Sequence, residues 1–173
     1  MGQLHQITLR YHPVEDRALL RVSTQDRSEF RFWLTRRLLQ ALWSVLIRLL
    51  ETDERVRRQP RPEVARQVLS FQHEHALQQS DFSTVYREDP ASFPIGEEPL
   101  LLTEIQVKKA ARGSQLLCLR GAGGRGAELA LKPTLLHSLC RLLADTSSKA
   151  GWDLDLRIVE VAPDTECSER RPH

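Results

Sequence analysis

Three arginines and one tryptophan are the residues whose types and spacing offer the clearest chemistry in this sequence. Arg10, Arg21 and Arg31 alternate with apolar residues on three consecutive predicted strands, and Trp33 follows on the third. Guanidinium groups bind phosphates and aromatic rings stack on bases, so this row would suit a single-stranded nucleic acid. The simpler interpretation is a solvated sheet face whose arginines pair with acids such as Glu29, or with a partner chain.

A second basic cluster follows the first predicted helix. Its members are Arg55, Arg57, Arg58 and Arg61. Arg57 and Arg58 could contact an anion in addition to the row formed by Arg10, Arg21 and Arg31. Arginines near the carboxyl end of a helix also complement the helix dipole, and a solvated turn is the alternative explanation.

The glycine-rich run from Gly121 to Gly126 invites comparison with a phosphate-binding loop. Such loops follow a strand and open a helix, because the helix amino terminus receives the phosphate. This run lies between two predicted strands. We therefore expect it to form a hairpin tip.

The histidines and cysteines give no clear catalytic or metal-binding pattern. His73 and His75 are two residues apart, whereas ligands on one helix face should be three or four apart. His137 falls at the edge of a polar helix stripe, and no serine or cysteine has a recognisable nucleophile setting. We predict no metal, no cofactor and a non-catalytic protein, although an enzyme with convergent distant groups stays open.

The elements that carry these residues occur in two similar copies. Residues 17–22 and 32–46 correspond to residues 114–119 and 129–143 at the same offset. Each copy reads as three strands followed by a helix, which predicts an α+β fold built from a duplicated antiparallel meander plus helix, with pseudo-two-fold symmetry. The predicted divisions are a first repeat (1–51), a connector (52–99), a second repeat ending in a closing strand (100–161) and a disordered tail (162–173).

The helix of the first copy is unusually apolar. Thr35 is its predicted N-cap, and a leucine-rich stripe should face the sheet. Trp43, Ile47 and Leu50 form a second apolar row. That row must be covered by the second helix, by the connector or by another subunit, so it is a candidate interaction surface.

The connector carries too many large apolar residues for a free loop. Pro62 can open a helix, and an irregular acidic stretch with Phe82, Val85, Tyr86 and Phe93 follows. We expect this stretch to lie across a hydrophobic surface, such as the second apolar row of the first helix.

Composition sets outer limits on function. The net charge is +2, with +5 in residues 1–70, −5 in residues 71–100 and +2 thereafter, which is modest for a dedicated nucleic-acid binder. No apolar stretch is long enough to span a bilayer, so we expect no membrane contact. Three widely spaced cysteines and the lack of a signal segment at the amino terminus favour free thiols in the cytoplasm.

The repeated order of strands and helix over residues 5–51 and 101–159 resembles that of Whirly and PUR-type single-stranded nucleic-acid binders. The resemblance is one of topology, and each copy lacks the fourth strand of those families. No signature motif of either family is present, so the resemblance concerns the fold. Our preferred interpretation is a non-catalytic protein-interaction or assembly module that binds a protein partner or self-associates as a homodimer. Single-stranded nucleic-acid binding is the alternative.

Overall fold

Six strands form one mixed sheet in the computed structural model, which describes residues 2–87, 89–109 and 115–158. Their order across the sheet is their order along the chain. The strands are β1 (Leu4–His12), β2 (Arg17–Thr24), β3 (Glu29–Leu34), β4 (Leu100–Lys109), β5 (Gln115–Gly121) and β6 (Gly126–Leu131). In this part of the chain β1 and β6 are therefore the two edge strands.

The sheet is continuous through a short parallel junction at its centre. β3 pairs with β4 at only two positions, Phe32 with Leu100 and Trp33 with Leu101. On either side of the junction the pairing is antiparallel, as the predicted meanders require. The two three-stranded units thus share one sheet and one fold of the α+β class.

Four α-helices belong to the described residues, and their ends follow local rules. They are α1 (Arg36–Glu51), α2 (Glu54–Arg57), α3 (Pro62–Gln78) and α4 (Pro133–Ala150). The hydroxyl of Thr35 accepts a hydrogen bond from the Leu38 amide, which confirms the predicted N-cap. Gly151 ends α4 at φ 63°, a left-handed conformation that glycine adopts without strain.

The helices bury their apolar faces against the sheet and against each other. α4 lies along β1, where the Thr146 hydroxyl donates to the Leu9 carbonyl at 3.3 Å. α1 contacts α4, and Trp43 and Leu50 are buried in the core with Ile47 packed beside them. The second apolar row of α1 is therefore covered within the chain, so these three side chains form core rather than an open interaction surface.

The connector divides into a core part and a surface part. Val56 of α2 and Leu69 of α3 belong to the hydrophobic core, and α3 packs on α4. Beyond α3, Tyr86 and Phe93 lie against Arg21 and Arg31 on the outer face of the sheet. The expectation that this stretch covers α1 is wrong for Tyr86 and Phe93, because both rings lie on the outer face of the sheet instead.

Residues 152–158 do not form the predicted closing strand. Asp153 has a positive φ of 48°, which interrupts extended pairing. The Trp152 ring instead packs edge-on against Tyr11 at 5.6 Å, and its indole N–H donates to Asp16 at 3.1 Å. Leu154, Leu156 and Ile158 pack against the core from an irregular segment. The alternation therefore reflects contact with the core and not strand pairing.

Three predictions fall outside the described residues. The sequence predicts a turn at 111–113, between the first two strands of the second copy, and the end of the closing strand (159–161) and the disordered tail (162–173) lie beyond residue 158. Across the residues that are described, we find no helix with the length and apolarity needed to cross a bilayer.

Candidate functional site

The predicted arginine row does lie on one face of the sheet. The register sets Arg21 opposite Arg31, and Leu19 opposite both Arg10 and Trp33. Neighbouring side chains on one face of an antiparallel pair contact each other, so these residues form a continuous patch on the side away from the helices. The strand alternation in the sequence was sufficient to predict this grouping.

A fully buried carboxylate neutralises part of that patch. Glu29 accepts hydrogen bonds from Arg21 Nε at 3.0 Å and Nη2 at 3.2 Å, and from Arg31 Nε at 2.5 Å. The Tyr86 hydroxyl donates to the same carboxylate at 3.1 Å. Burial opposes ionisation, but the two guanidinium groups outweigh it and the pKa of Glu29 lies below its usual value. Arg21 and Arg31 therefore both form ion pairs with Glu29, as the simpler interpretation of the arginine row proposed.

The connector covers the same two arginines with aromatic rings. The Arg21 guanidinium carbon lies 4.4 Å from the centre of the Tyr86 ring, and that of Arg31 lies 4.6 Å from the Phe93 ring. Arg31 Nη1 also donates to the Glu97 carbonyl at 3.1 Å. The guanidinium faces that a phosphate or a base would contact are occupied by the chain itself. These contacts hold the connector on the sheet.

The other predicted basic residues lie apart from this network. Arg10 is exposed on edge strand β1, and Trp33 packs edge-on against His12 at 5.5 Å. Arg57 ends the short helix α2, and Arg58 pairs with Glu54 at 3.0 Å on the surface. The sequence placed these two arginines on a loop, whereas Asp53 caps a helical turn here.

The glycine-rich run forms a hairpin tip, as expected. It contains a short 3₁₀ turn over Ala122–Gly124, with Gly123 and Gly124 at φ 70° and 71°. The Gly121 amide donates to the Arg125 carbonyl at 2.9 Å and closes the hairpin between β5 and β6. The run opens no α-helix and therefore lacks the geometry of a phosphate loop.

Two histidines that the sequence separated by 64 positions meet between α3 and α4. Nδ1 of His73 lies 3.2 Å from Nδ1 of His137, and His137 is only 4% exposed. His137, expected at the edge of a polar stripe, is buried because α3 packs on this face of α4. Among the residues described here, no group of three or more potential metal ligands exists.

The structure contains a groove of about 1060 Å³ that no pattern in the sequence predicted. Edge strand β1 forms one side, and residues of β5 and β6 form the other. Helix α4 contributes side chains along its length, from Thr134 to Lys149, and the segment after α3 (79–86) forms the rim. We call this feature the β1–β6 groove. It is as large as the larger pockets of proteins that bind small molecules, and it is partly open to solvent.

The charge in the β1–β6 groove is predominantly basic. Arg10, Lys132 and Lys149 line it with exposed side chains, and no ion pair of theirs occurs within residues 2–87, 89–109 and 115–158. By contrast, Glu128 is held by Lys108 at 3.4 Å and by Arg120 at 2.8 Å, and these contacts, that of Lys108 first, lower its pKa.

The remaining acid of the β1–β6 groove is also engaged. Asp81 accepts hydrogen bonds from the hydroxyls and backbone amides of Ser83 and Thr84, which depress its pKa strongly. Both acids are therefore satisfied locally, whereas the three cations stay available to a ligand.

Apolar side chains line the rest of the β1–β6 groove. Phe82 and Val85 on the rim are 49% and 84% exposed, and both are large hydrophobic side chains. Ile7, Leu135 and Leu142 contribute partly buried surface below them. Exposed apolar surface bordered by charges is typical of interaction sites. The sequence predicts that this stretch packs on a hydrophobic surface. Because Phe82 and Val85 are so exposed, they do not make that contact with the described part of the chain.

The β1 edge adds backbone hydrogen-bonding groups to the groove. Since the Leu9 carbonyl accepts from Thr146, it points away from β2, and the two-residue period of a strand gives the Ile7 groups the same direction. No backbone partner of Ile7 on that side occurs in the described ranges. The sequence could not show this, because strand order decides which strand is an edge.

Comparison with known proteins adds no functional information. No protein-family model, no curated protein and no solved structure matches this chain. The geometry of the groove and of the arginine patch therefore carries the functional argument alone.

Proposed function

We propose that this chain is a non-catalytic protein-interaction module whose binding site is the β1–β6 groove. The observation that carries the proposal is the combination, in one groove of about 1060 Å³, of an unpaired strand edge with apolar side chains at Phe82 and Val85. Unpaired strand edges and exposed apolar rims are surfaces that partner chains cover. A partner would bury both at once.

The chemistry of the groove supports binding rather than catalysis. Its two acids, Asp81 and Glu128, are held in their ionised forms by hydrogen bonds and ion pairs. A general acid or base needs a pKa near the working pH, and both groups are shifted away from it. The Ser80 and Ser138 hydroxyls bond to each other at 2.8 Å and to the Ala76 and Thr134 carbonyls, and neither bonds to a histidine among the residues that the structure describes.

Two further expectations belong to the same proposal. We infer that residues 4–51 and 100–150 descend from one duplicated unit, which the common order of three strands and a helix supports. We also place the protein in the cytoplasm, and the free, buried thiols of Cys118 and Cys140 are compatible with a reducing compartment. Alignment of homologous sequences, when separated into the two units, would test the duplication.

Site-specific photo-crosslinking in the native cell tests the function. A benzophenone amino acid at Val85 lies on the groove rim, whereas the same probe at Val14, 88% exposed on the β1–β2 turn, is a matched control outside the groove. We expect illumination to give a discrete crosslinked protein from Val85 and none from Val14. The mass of the product separates a partner protein from a second copy of this chain.

The result that would overturn the function is equally specific. If groove positions 82 and 85 both give no product while the variants fold and accumulate normally, the groove receives no protein. If Val14 and Val85 capture the same proteins to the same extent, the capture reflects general surface exposure and the groove assignment fails.

A further inference from the structure

We propose that the partner enters the β1–β6 groove as an extended acidic segment and pairs with β1 as an added strand. This inference rests on the proposed function and specifies the chemistry of the partner. It concerns the segment that contacts the groove and not the rest of the partner. Three features of the groove support it independently.

The first feature is the direction of the unpaired backbone groups. Ile7 directs its N–H and C=O away from β2 and into the groove, two residues before Leu9, whose carbonyl is bonded to Thr146. Helix α4 thus engages the edge at Leu9, whereas the Ile7 groups, about 7 Å away along the strand, have no backbone partner on this side within the described ranges. An extended peptide can pair with such an edge through its main chain, and pockets for alternate side chains then select its sequence.

The second feature is the uncompensated positive charge. Arg10 lies on β1 itself, Lys149 lies near the end of α4, and Lys132 precedes the first turn of that helix. All three side chains line the groove, and the groove acids are occupied by other groups. Glutamate or aspartate side chains on the incoming segment would complement these charges.

The third feature is the kind of apolar surface. The groove offers aliphatic side chains such as Ile7, Leu135, Leu142 and Val85, with Phe82 on the rim. Aliphatic surface suits the apolar side chains of an alternating peptide strand. A single-stranded nucleic acid would instead need a series of aromatic rings to stack its bases. The observations therefore favour a peptide over a nucleic acid in this groove.

Hydrogen exchange of single amides, measured by NMR on the full chain, tests the pairing directly. The probe is a capped peptide of about ten residues that alternates glutamate and valine, and the control peptide alternates lysine and valine. We expect the acidic peptide to slow exchange of the Ile7 amide at least tenfold, because that N–H acquires an acceptor. The basic peptide should leave the Ile7 amide unchanged.

Charge reversal supplies a second measurement on the same complex. Arg10→Glu and Lys149→Glu should each weaken binding of the acidic peptide about five- to tenfold at low salt. Arg37→Glu is the matched control, because Arg37 is an exposed arginine of α1 outside the groove. The NMR spectrum of each variant verifies that it is folded.

The outcomes separate this inference from the function on which it rests. If the acidic peptide binds but Ile7 exchange is unchanged, strand pairing is overturned. If neither peptide binds while Val85 crosslinks a partner, the interaction function stands and the acidic-strand inference falls. If an oligothymidine probe binds in the groove and the acidic peptide does not, the partner class is wrong.

Discussion

Nδ1 of His73 lies 3.2 Å from Nδ1 of His137, so the two imidazole rings form a direct contact between α3 and α4. Each ring can hold this hydrogen bond only while one nitrogen donates and the other accepts. Burial and the nearby His73 ring lower the pKa of His137 to about 4, with Asp53 acting in the opposite direction. Burial, followed by the charge of Arg141, also lowers the pKa of His73, whereas Glu74 raises it.

We predict that this contact makes the protein less stable as the pH falls from 7 to 4.5. The unfolded chain takes up protons on these histidines near pH 6.5, whereas folded His137 resists protonation until about pH 4. The unfolded state therefore binds more protons in this window, and the free energy of unfolding falls by about 2–3 kcal/mol from His137. Urea unfolding at a series of pH values measures the change.

Substitution assigns that pH dependence to the histidine pair. His137→Gln should remove most of the slope between pH 7 and 4.5, whereas His12→Gln changes an exposed ring outside the contact and should retain it. An unchanged slope in His137→Gln would show that other groups cause the effect.

The Glu29 carboxylate should be among the costliest polar groups to remove. Glu29→Gln leaves Arg21 and Arg31 without their shared anion in a largely buried setting, and breaking such a network costs about 3–5 kcal/mol. Glu128→Gln is the matched control, because its ion pairs with Lys108 and Arg120 are more exposed and should contribute much less to stability. The urea concentrations at half-unfolding compare the stabilities of the two variants. Equal losses of stability would contradict the special cost assigned to Glu29.

The same network predicts weak binding of single-stranded nucleic acid. Arg21 and Arg31 are engaged by Glu29 and covered by Tyr86 and Phe93, so the row predicted from the sequence has lost much of its available charge. We expect a labelled oligothymidine to bind with a Kd weaker than about 10 µM at physiological salt, within the non-specific range. Fluorescence anisotropy at two salt concentrations measures this. Nanomolar binding that Arg21→Glu and Arg31→Glu abolish would establish the nucleic-acid alternative.

Features set by nearby residues were predictable from the sequence. Thr35 could be identified as an N-cap because its hydroxyl needs only the amide three residues later. Alternation placed Arg21 and Arg31 on one face because a strand has a period of two.

Features set by distant contacts were not predictable in the same way. Tyr86 reaches Glu29 across 57 positions, and His73 reaches His137 across 64. The groove depends on β1 and β6 both being edges, which follows from the parallel junction between β3 and β4. Periodicity in one sequence carries no information about which elements become neighbours, so the local patterns were identified and the site was not.

The Trp152 side chain should be essential for holding the segment after α4 against β1. It packs on Tyr11 and donates its indole N–H to Asp16, so one side chain contributes both apolar burial and a hydrogen bond. Trp152→Ala should cost about 3–5 kcal/mol. Trp152→Phe retains a ring but loses the donor, and should cost less.

Urea unfolding followed by far-UV circular dichroism distinguishes the two, because it does not depend on tryptophan fluorescence. If Trp152→Ala unfolded at the same urea concentration as the wild type, residues 152–158 would not be packed on the core, and the irregular segment would contribute nothing to the fold.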